Sequence, residues 1–138
     1  MIISTFNLKN SNTHSISNEK WVKRMDSAAL LIRQRKLGVV GTQELTLKAK
    51  NYLERVLEDY LFIGESRGSF NISDEYNSIL LNREKVNVLR SETYSLSKDI
   101  YKKGGKFILD AFPRICTLAH IVVDGRKYLI INTHLNNQ

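Results

Sequence analysis

Three polar residues follow short apolar runs, at positions where strands would end. Asn7 comes after IISTF, Glu44 closes GVVGTQE, and His134 stands near the end of KYLIINTHL, between Asn132 and Asn136. A carboxylate flanked by amides suits a hard cation such as Mg²⁺, which takes oxygen ligands. An imidazole titrates near neutral pH and can transfer a proton. Each residue alone has a structural alternative, because a lone Glu is often solvated and a lone His is often packed.

The first sixty residues predict a β-α-β-α order that would position Asn7 and Glu44. Residues 2–6 and the segment GVVGTQE predict strands. A first helix is predicted to begin at Ser17 or Asn18 and to end before Gly38, with an apolar face formed by Trp21, Met25, Ala28, Ala29 and Ile32. Thr46 is the predicted cap of a second helix, whose apolar face comprises Ala49, Leu53, Val56, Leu57 and Tyr60.

From residue 60 onward the pattern is typical of strands: YLFIGES, YNSILLN, VNVLRSETYSLS, ICTLAHIVV and KYLIINTHL. Asp124-Gly125 between the last two predicts a tight hairpin. The segment 97–113 contains a glycine pair, four lysines and the only proline, which indicates an exposed connection. The chain is therefore predicted to be one mixed α/β unit of about seven strands and two helices.

Composition narrows the class of protein. The 138 residues carry 21 basic and 14 acidic side chains, a net charge of +7 that favours phosphate-bearing partners. The single cysteine, Cys116, cannot form an internal disulfide, and no Cys/His cluster is available for zinc. No apolar run approaches the roughly 18 residues that a membrane span needs. We therefore expect a cytoplasmic protein with no membrane partner.

Segments of the chain occur in one order that is more specific than any single motif: STFNL, WVKR, GTQE, GESR, DEYNSILLN, YSLS, FPRICTLAHI and INTHL. Together they resemble the endonuclease/exonuclease/phosphatase family, whose members cleave phosphate esters with Mg²⁺. The resemblance covers essentially the whole chain. It implies that residues 1–138 are the N-terminal half of the family domain, an α/β fold that is half of a four-layer α/β/β/α sandwich.

The resemblance also implies a role for each candidate residue. Glu44 would be the principal ligand of Mg²⁺ or Mn²⁺, with Asn7 beside it. His134 would contact the scissile phosphate and help with proton transfer, and Glu75 and Asn77 would orient this histidine or contact the phosphate. Substrate phosphates would be held by Arg67, Arg114 and Asn132. For the two arginines, a structural salt bridge is an equal alternative.

The family domain has a second half, which supplies an Asp and an Asn in a Gly-Asp-Phe-Asn block and then an Asp-His pair. None of these occurs in this sequence. The leading hypothesis is therefore Mg²⁺-dependent hydrolysis of phosphate esters, in nucleic acids or small phosphorylated metabolites, by a domain of which this chain alone is inactive. The alternatives are a non-catalytic phosphate or nucleic-acid binding fragment and, more remotely, a structural subunit.

Three geometric predictions follow from these interpretations. Residues 2–6 should pair in parallel with 39–43, so that Glu44 and Asn7 lie side by side. His134 should reach Glu75 or Asn77 in the same cleft. Helices should cover only one sheet face and leave the other bare, which would favour a homodimer or a complex with the missing half; the candidate bare residues are Ile79, Leu81, Ile121, Val123, Leu129 and Ile131.

Overall fold

A computed structural model describes residues 1–10, 17–68, 74–108 and 110–135. In chain order the elements are β1 (Ile3–Asn7), α1 (Asn18–Gln34), β2 (Val39–Gln43), β3 (Leu45–Thr46), α2 (Leu47–Val56), β4 (Tyr60–Ile63), β5 (Glu75–Tyr76), β6 (Ile79–Asn82), β7 (Asn87–Ser95), β8 (Ile115–Val123) and β9 (Arg126–Thr133). The mixed α/β class and both helices are confirmed. The described residues form more strands than the sequence predicted, because β3 and β5 pair as a separate short ladder.

Both helices begin at the predicted caps. The hydroxyl of Ser17 accepts a hydrogen bond from the backbone N–H of Lys20, and Thr46 accepts one from Ala49. Every residue predicted for the apolar face of α1 is buried. The second helix ends at Val56, which is half-buried at the margin of the core, so Leu57 and Tyr60 of its predicted face are buried outside the helix, and Tyr60 begins β4. Local sequence therefore determines where these helices begin and which face they bury.

The first sheet has the strand order β1-β2-β6-β4, and it positions the candidate residues. β1 and β2 are parallel, in a register that runs from Ile3 opposite Val39 to Asn7 opposite Gln43. This confirms the predicted pairing of residues 2–6 with 39–43. β6 lies antiparallel to β2 and β4. Because β1 and β2 are parallel, Asn7 and the residue that follows Gln43 come to the same edge of the sheet.

The two faces of the first sheet contribute to two hydrophobic clusters. Val40 and Leu80 pack with both helices, whereas their neighbours face the other way and pack against the second sheet, β7-β8-β9. The second cluster comprises Val39, Ile79, Leu81, Val86, Ala119, Ile121 and Val123. The described part of the chain is thus arranged as three layers, α/β/β. This is consistent with half of a four-layer sandwich.

The predicted bare face is wrong for four of its six candidates. Ile79, Leu81, Ile121 and Val123 are all buried, because the chain after Val86 forms its own sheet and covers the first. The other two candidates lie on β9 and are exposed, Leu129 at 48% and Ile131 at 58%. The uncovered apolar side chains are therefore on the outer side of the second sheet.

The hairpin between β8 and β9 has the predicted turn. Asp124 and Gly125 have φ angles of 49° and 74°, the left-handed conformation that a two-residue turn of this kind requires. The segment that precedes β8 is exposed, as predicted: Tyr101 is 81% and Ile108 96% accessible. Of the helices in the described ranges, neither has both the length and the apolar character needed to cross a membrane.

Candidate active site

Glu44 and Asn7 form the first part of the candidate site. The amide Nδ2 of Asn7 donates to Oε1 of Glu44 over 2.8 Å, and the backbone N–H of Asn10 donates to Oε2 over 2.7 Å. The backbone N–H of Lys9 donates to Oδ1 of Asn7, which fixes the amide. The predicted side-by-side arrangement is therefore present, and each Glu44 carboxylate oxygen accepts a hydrogen bond.

Glu44 occupies an unusual backbone position between β2 and β3. Its φ is 55°, in the left-handed region that costs a residue with a Cβ roughly 1–2 kcal/mol. Such strain is concentrated at functional sites in proteins. The turn directs the half-buried carboxylate toward the end of β1, where it meets Asn7.

The surroundings of Glu44 favour its ionised form. Burial raises the pKa of this carboxyl group, but the hydrogen bonds from Asn10 and Asn7 and the electrostatic interactions with His134 and Lys9 together lower it by more. The net effect is a pKa below the usual range of a glutamate. An ionised carboxylate is the form that binds a hard cation.

The metal-binding capacity of the described residues is partial. No group of three or more His, Cys, Asp or Glu side chains that could hold a metal ion occurs among them. Glu44 supplies a carboxylate, which suits a Mg²⁺ ion that keeps several waters or takes further ligands from elsewhere. The Asn7 amide turns its N–H toward this carboxylate and its oxygen toward the N–H of Lys9, so it orients Glu44 and does not present its oxygen beside it.

His134 follows β9 and forms the second part of the candidate site. Its Nδ1 is buried and has no hydrogen-bond partner. A small cavity of about 10 Å³, near the lower limit for one water molecule, is lined by Arg67, Glu75, Asn77, Pro113, Arg114, Ile115 and His134. His134 therefore lines one cavity with Glu75 and Asn77, but Glu44, which was predicted to share the cleft, is not among the residues that line it.

A buried ion pair forms part of the lining of that cavity. Nη1 of Arg67 donates to Oε2 of Glu75 over 2.9 Å, and the two side chains are only 7% and 11% exposed. The side-chain amide of Asn10 donates to Oε1 of the same carboxylate over 2.7 Å. The Arg67 guanidinium also lies 4.8 Å from the ring centre of Phe112. Asn10 thereby links Glu44 to Glu75, and the alternative of a salt bridge for Arg67 is realised.

The remaining predicted residues differ in what their polar groups contact. Asn77 is buried and donates to the carbonyl of Ile115. Arg114 donates to the carbonyl of His134 over 3.3 Å. Asn132 is 6% exposed and is surrounded by protein partners, not presented at the surface. Asn136 and His14 lie outside the described residues.

Two residues that contact the candidate site were not predicted from the sequence. Gln43 precedes Glu44 in the GTQE segment, and its amide donates to Oδ1 of Asn132 over 2.7 Å. Asn10 contacts both Glu44 and Glu75. The position of Gln43 beside Glu44 was a signal for its involvement. Nothing in the sequence distinguished Asn10 from the other polar residues that follow β1.

Comparison with known proteins gives matches among solved structures. No protein-family model matches the sequence, and no curated protein does. An endonuclease/exonuclease/phosphatase from Bacteroides vulgatus is 27% identical, with a TM-score of 0.85 over 96% of this chain and 51% of that one. A family protein from Bacteroides thetaiotaomicron is 25% identical, with a TM-score of 0.86 over 97% and 48%. A mannosyl-6-phosphatase from the same species is 24% identical, with a TM-score of 0.80 over 94% and 49%.

The coverage of these matches is unequal. Nearly the whole of this chain aligns, but it spans only about half the length of each solved chain, which is consistent with an N-terminal half. The chain therefore has the fold of endonuclease/exonuclease/phosphatase structures over about half of their length, and the resemblance predicted from its sequence is confirmed.

Proposed function

We propose that residues 1–138 are the N-terminal half of a domain that hydrolyses phosphate esters with Mg²⁺. The observation that carries this proposal is the contact between Asn7 and Glu44, where two parallel strands end. The lowered pKa of Glu44, which keeps its carboxylate ionised, supports it. The similarity to endonuclease/exonuclease/phosphatase structures supports the same assignment.

The residues of this half would have distinct roles. A bound Mg²⁺ would polarise the phosphoryl oxygens and stabilise the charge that develops in the transition state. Glu44 would hold the cation through its ionised carboxylate, and the Asn7 amide fixes the orientation of that carboxylate. His134 contacts the scissile phosphate and moves a proton there. Asn77 and Glu75 border the cavity beside the histidine and fix its surroundings.

We further propose that this half does not turn over alone. Glu44 leaves most of the coordination shell of a cation to other ligands, and within the described ranges Nδ1 of His134 has no hydrogen-bond partner that would orient the ring. The group that activates the attacking water would come from the second half of the domain. Any further metal ligands would come from there as well.

The substrate class is a phosphate ester, either in a nucleic acid or in a small phosphorylated metabolite. The net charge of +7 favours both, because it attracts polyanions and single phosphates. A solved structure of the same fold is a mannosyl-6-phosphatase, which is an example of an enzyme that acts on the second kind of substrate. Arg114 borders the same small cavity as His134, and we propose it for a contact with a substrate phosphate, whereas Arg67 is paired with Glu75.

The decisive test is turnover of p-nitrophenyl phosphate and bis-p-nitrophenyl phosphate with Mg²⁺. The 138-residue chain would be assayed alone and joined to the second half of the Bacteroides vulgatus protein. We expect no turnover from the chain alone, and turnover from the joined protein that chelation or Glu44→Gln abolishes. Glu58→Gln, at an exposed position on the helical side, is the matched control. Turnover by the chain alone, or by the joined Glu44→Gln protein, would contradict the proposal.

The second candidate, a phosphate or nucleic-acid binding fragment without catalysis, is favoured by the lysines of the exposed segment before β8. Lys98, Lys102 and Lys106 border a groove of about 790 Å³ in that segment. This candidate predicts salt-dependent binding of oligonucleotides with no turnover in the joined protein, and binding unaffected by Glu44→Gln. The same two proteins therefore distinguish the two functions.

A further inference from the structure

A pair of buried side-chain amides connects the two sheets beside the candidate site. Gln43, the last residue of β2, donates from Nε2 to Oδ1 of Asn132 on β9 over 2.7 Å. Asn132 in turn donates from Nδ2 to the carbonyls of Thr42 and Ser78, over 2.8 and 3.0 Å. Both amides are more than nine-tenths buried, at 8% and 6% exposure. We refer to Gln43 and Asn132 as the amide clamp.

Hydrogen bonding at Asn132 is complete. Its Nδ2 donates to the carbonyl of Thr42 on β2 and to that of Ser78, which precedes β6, and its oxygen accepts from Gln43. An apolar residue in its place would remove all three hydrogen bonds, and the loss of buried hydrogen bonds is destabilising. Because the partners lie on β2 and next to β6, a shift of β9 by one residue would break all three contacts together. A fully satisfied buried polar group of this kind specifies one arrangement of the elements it joins.

Gly41 shows how closely the clamp is fitted. A Cβ added at this position would lie 2.9 Å from Oδ1 of Asn132 and 3.1 Å from its Cγ. These contacts are shorter than packed side chains accept, so the glycine of GTQE leaves the space that the Asn132 amide fills. The φ of Gly41 is not in the left-handed region, so its role here is space and not backbone conformation.

The clamp lies one residue from Glu44 and two from His134. Two extended residues span at most about 7 Å, so the position of Asn132 limits where the backbone of His134 can lie. The tight turn at Asp124-Gly125 fixes β9 against β8. It does not fix β9 against β2, whose last residue precedes Glu44. The contacts of the clamp supply that second constraint.

We propose that Gln43 and Asn132 are positioning residues, which set the separation of His134 from Glu44 by fixing the end of β9 on the end of β2. The inference rests on the proposed function, because it assigns these two residues to the same site. It replaces the expected phosphate contact of Asn132 with an action through its neighbours. The clamp itself touches neither substrate nor cation.

The test measures how strongly a substitution at Glu44 affects the imidazole of His134 in the 138-residue chain. The readout is the change in the NMR frequencies of the His134 imidazole on Glu44→Gln, at one fixed pH at which the ring is fully protonated. It is compared in the wild-type background, in Asn132→Ala and in Gly41→Ala, which displaces the amide without removing it. Ile121→Val, in the core between the two sheets, is the control for a general loss of packing.

We expect the response in both clamp variants to fall to less than half of the wild-type response. In Ile121→Val the response should equal that of the wild type, even if its Tm is lowered as much as the Tm of the clamp variants. Exchanging the two amides, in Gln43→Asn with Asn132→Gln, should recover part of the response. An unchanged response in both clamp variants would overturn the proposal, and so would no response in the wild-type chain. If both clamp variants fail to fold while Ile121→Val folds, the clamp is a requirement of folding and the positioning role is rejected.

This readout is independent of the proposed function. It needs neither a metal ion nor turnover. Failure of the joined protein to hydrolyse phosphate esters would reject the proposed function and leave the measured coupling as it stands. An equal NMR response in the clamp variants and in Ile121→Val would reject the positioning role and leave the result of the turnover assay as it stands.

Discussion

Asn7 and Glu44 are separated by 37 positions in the chain and joined by a hydrogen bond of 2.8 Å. The contact exists because β1 and β2 are parallel and end in register, so the residue that follows β2 can turn toward the end of β1. The left-handed backbone at Glu44 makes that turn. The carboxylate is therefore held in one orientation by protein groups alone, which is the preorganisation that a binding site needs.

Glu44 should make the stability of the chain sensitive to acid. Its folded-state pKa is lowered, so ionised Glu44 stabilises the fold above about pH 4.3, its usual unfolded value, and this contribution is lost as the pH falls through the folded-state pKa. Glu44→Gln should cost about 1 kcal/mol near neutral pH, since the half-buried carboxylate is partly screened, and less in acid. Urea unfolding at pH 7 and pH 3 measures the difference, with Glu58→Gln as control. An equal cost at both pH values would contradict it.

The strained backbone at Glu44 gives a second prediction. Glycine normally destabilises relative to alanine, but at a φ of 55° it avoids the Cβ strain. Glu44→Gly should therefore be more stable than Glu44→Ala, by about 1 kcal/mol. Both variants lose the same carboxylate, so each serves as control for the other in a denaturant titration. The reverse order would show that this backbone is not strained.

The Arg67–Glu75 pair should behave as a buried ion pair. Removing one partner leaves an uncompensated charge, so Arg67→Met or Glu75→Met should each cost about 3 kcal/mol or more, whereas the double variant should be much less destabilised. A double-mutant cycle by urea unfolding measures the coupling. Lys23→Met with Glu19→Met, an exposed pair on α1, should show almost none. Additive costs at Arg67 and Glu75 would favour the phosphate-contact interpretation of Arg67.

His134 should matter for turnover more than for stability. His134→Ala in the joined protein should lower kcat by roughly 10²-fold, because it removes a proton-transferring group. Its Tm should change little, because the side chain is only half-buried and its Nδ1 makes no hydrogen bond. His120→Ala, on the exposed side of β8, is the matched control. Undiminished turnover, or loss of folding, would defeat the assignment.

The outer side of the second sheet should bind a second copy of the chain. Leu129 and Ile131 are exposed there on neighbouring outward positions of β9, opposite His120 and Leu118 of β8. We expect the 138-residue chain to form homodimers, and Ile131→Lys to shift it toward monomer, because a charge in the contact opposes burial. Sedimentation equilibrium at tens of micromolar decides this. Lys127→Ala, at the margin of the same strand, is the control. A monodisperse wild-type monomer would contradict the prediction.

Much of the fold could be predicted from the sequence, where local signals agreed with the final packing. The buried face of α1, the caps Ser17 and Thr46 and the turn at Asp124-Gly125 each depend on nearby residues, so their patterns indicated them directly. The parallel pairing of β1 with β2 followed from the helix between them. Apolar alternation identified strands but could not indicate which strands share a sheet.

That limit explains the wrong bare face. Ile79 and Ile121 were predicted to lie on the uncovered side, and each does lie on a face away from the helices, but the two faces cover each other. The burial of Asn132 and the link through Asn10 could not be predicted either, because an asparagine in a sequence indicates neither its hydrogen-bond partners nor how deeply it is buried. The position of Glu44 beside Asn7 was accessible because a strand end has a defined place in a sheet.

The His134 side and the Glu44 side of the candidate site are supported by contacts of different sequence separation. β8 and β9 are joined by a two-residue turn, and hairpins of this kind form in about 1–10 μs. The contact of Asn7 with Glu44 instead closes a loop of 37 positions, and the clamp joins residues 89 positions apart. Because long loops close at greater entropic cost, contacts of this kind slow folding. The hairpin that leads to His134 is therefore built from local contacts, while the contacts that join β9 to β2 and Glu44 to Asn7 are distant in the chain, so the two parts of the candidate site come together only when the whole chain has folded.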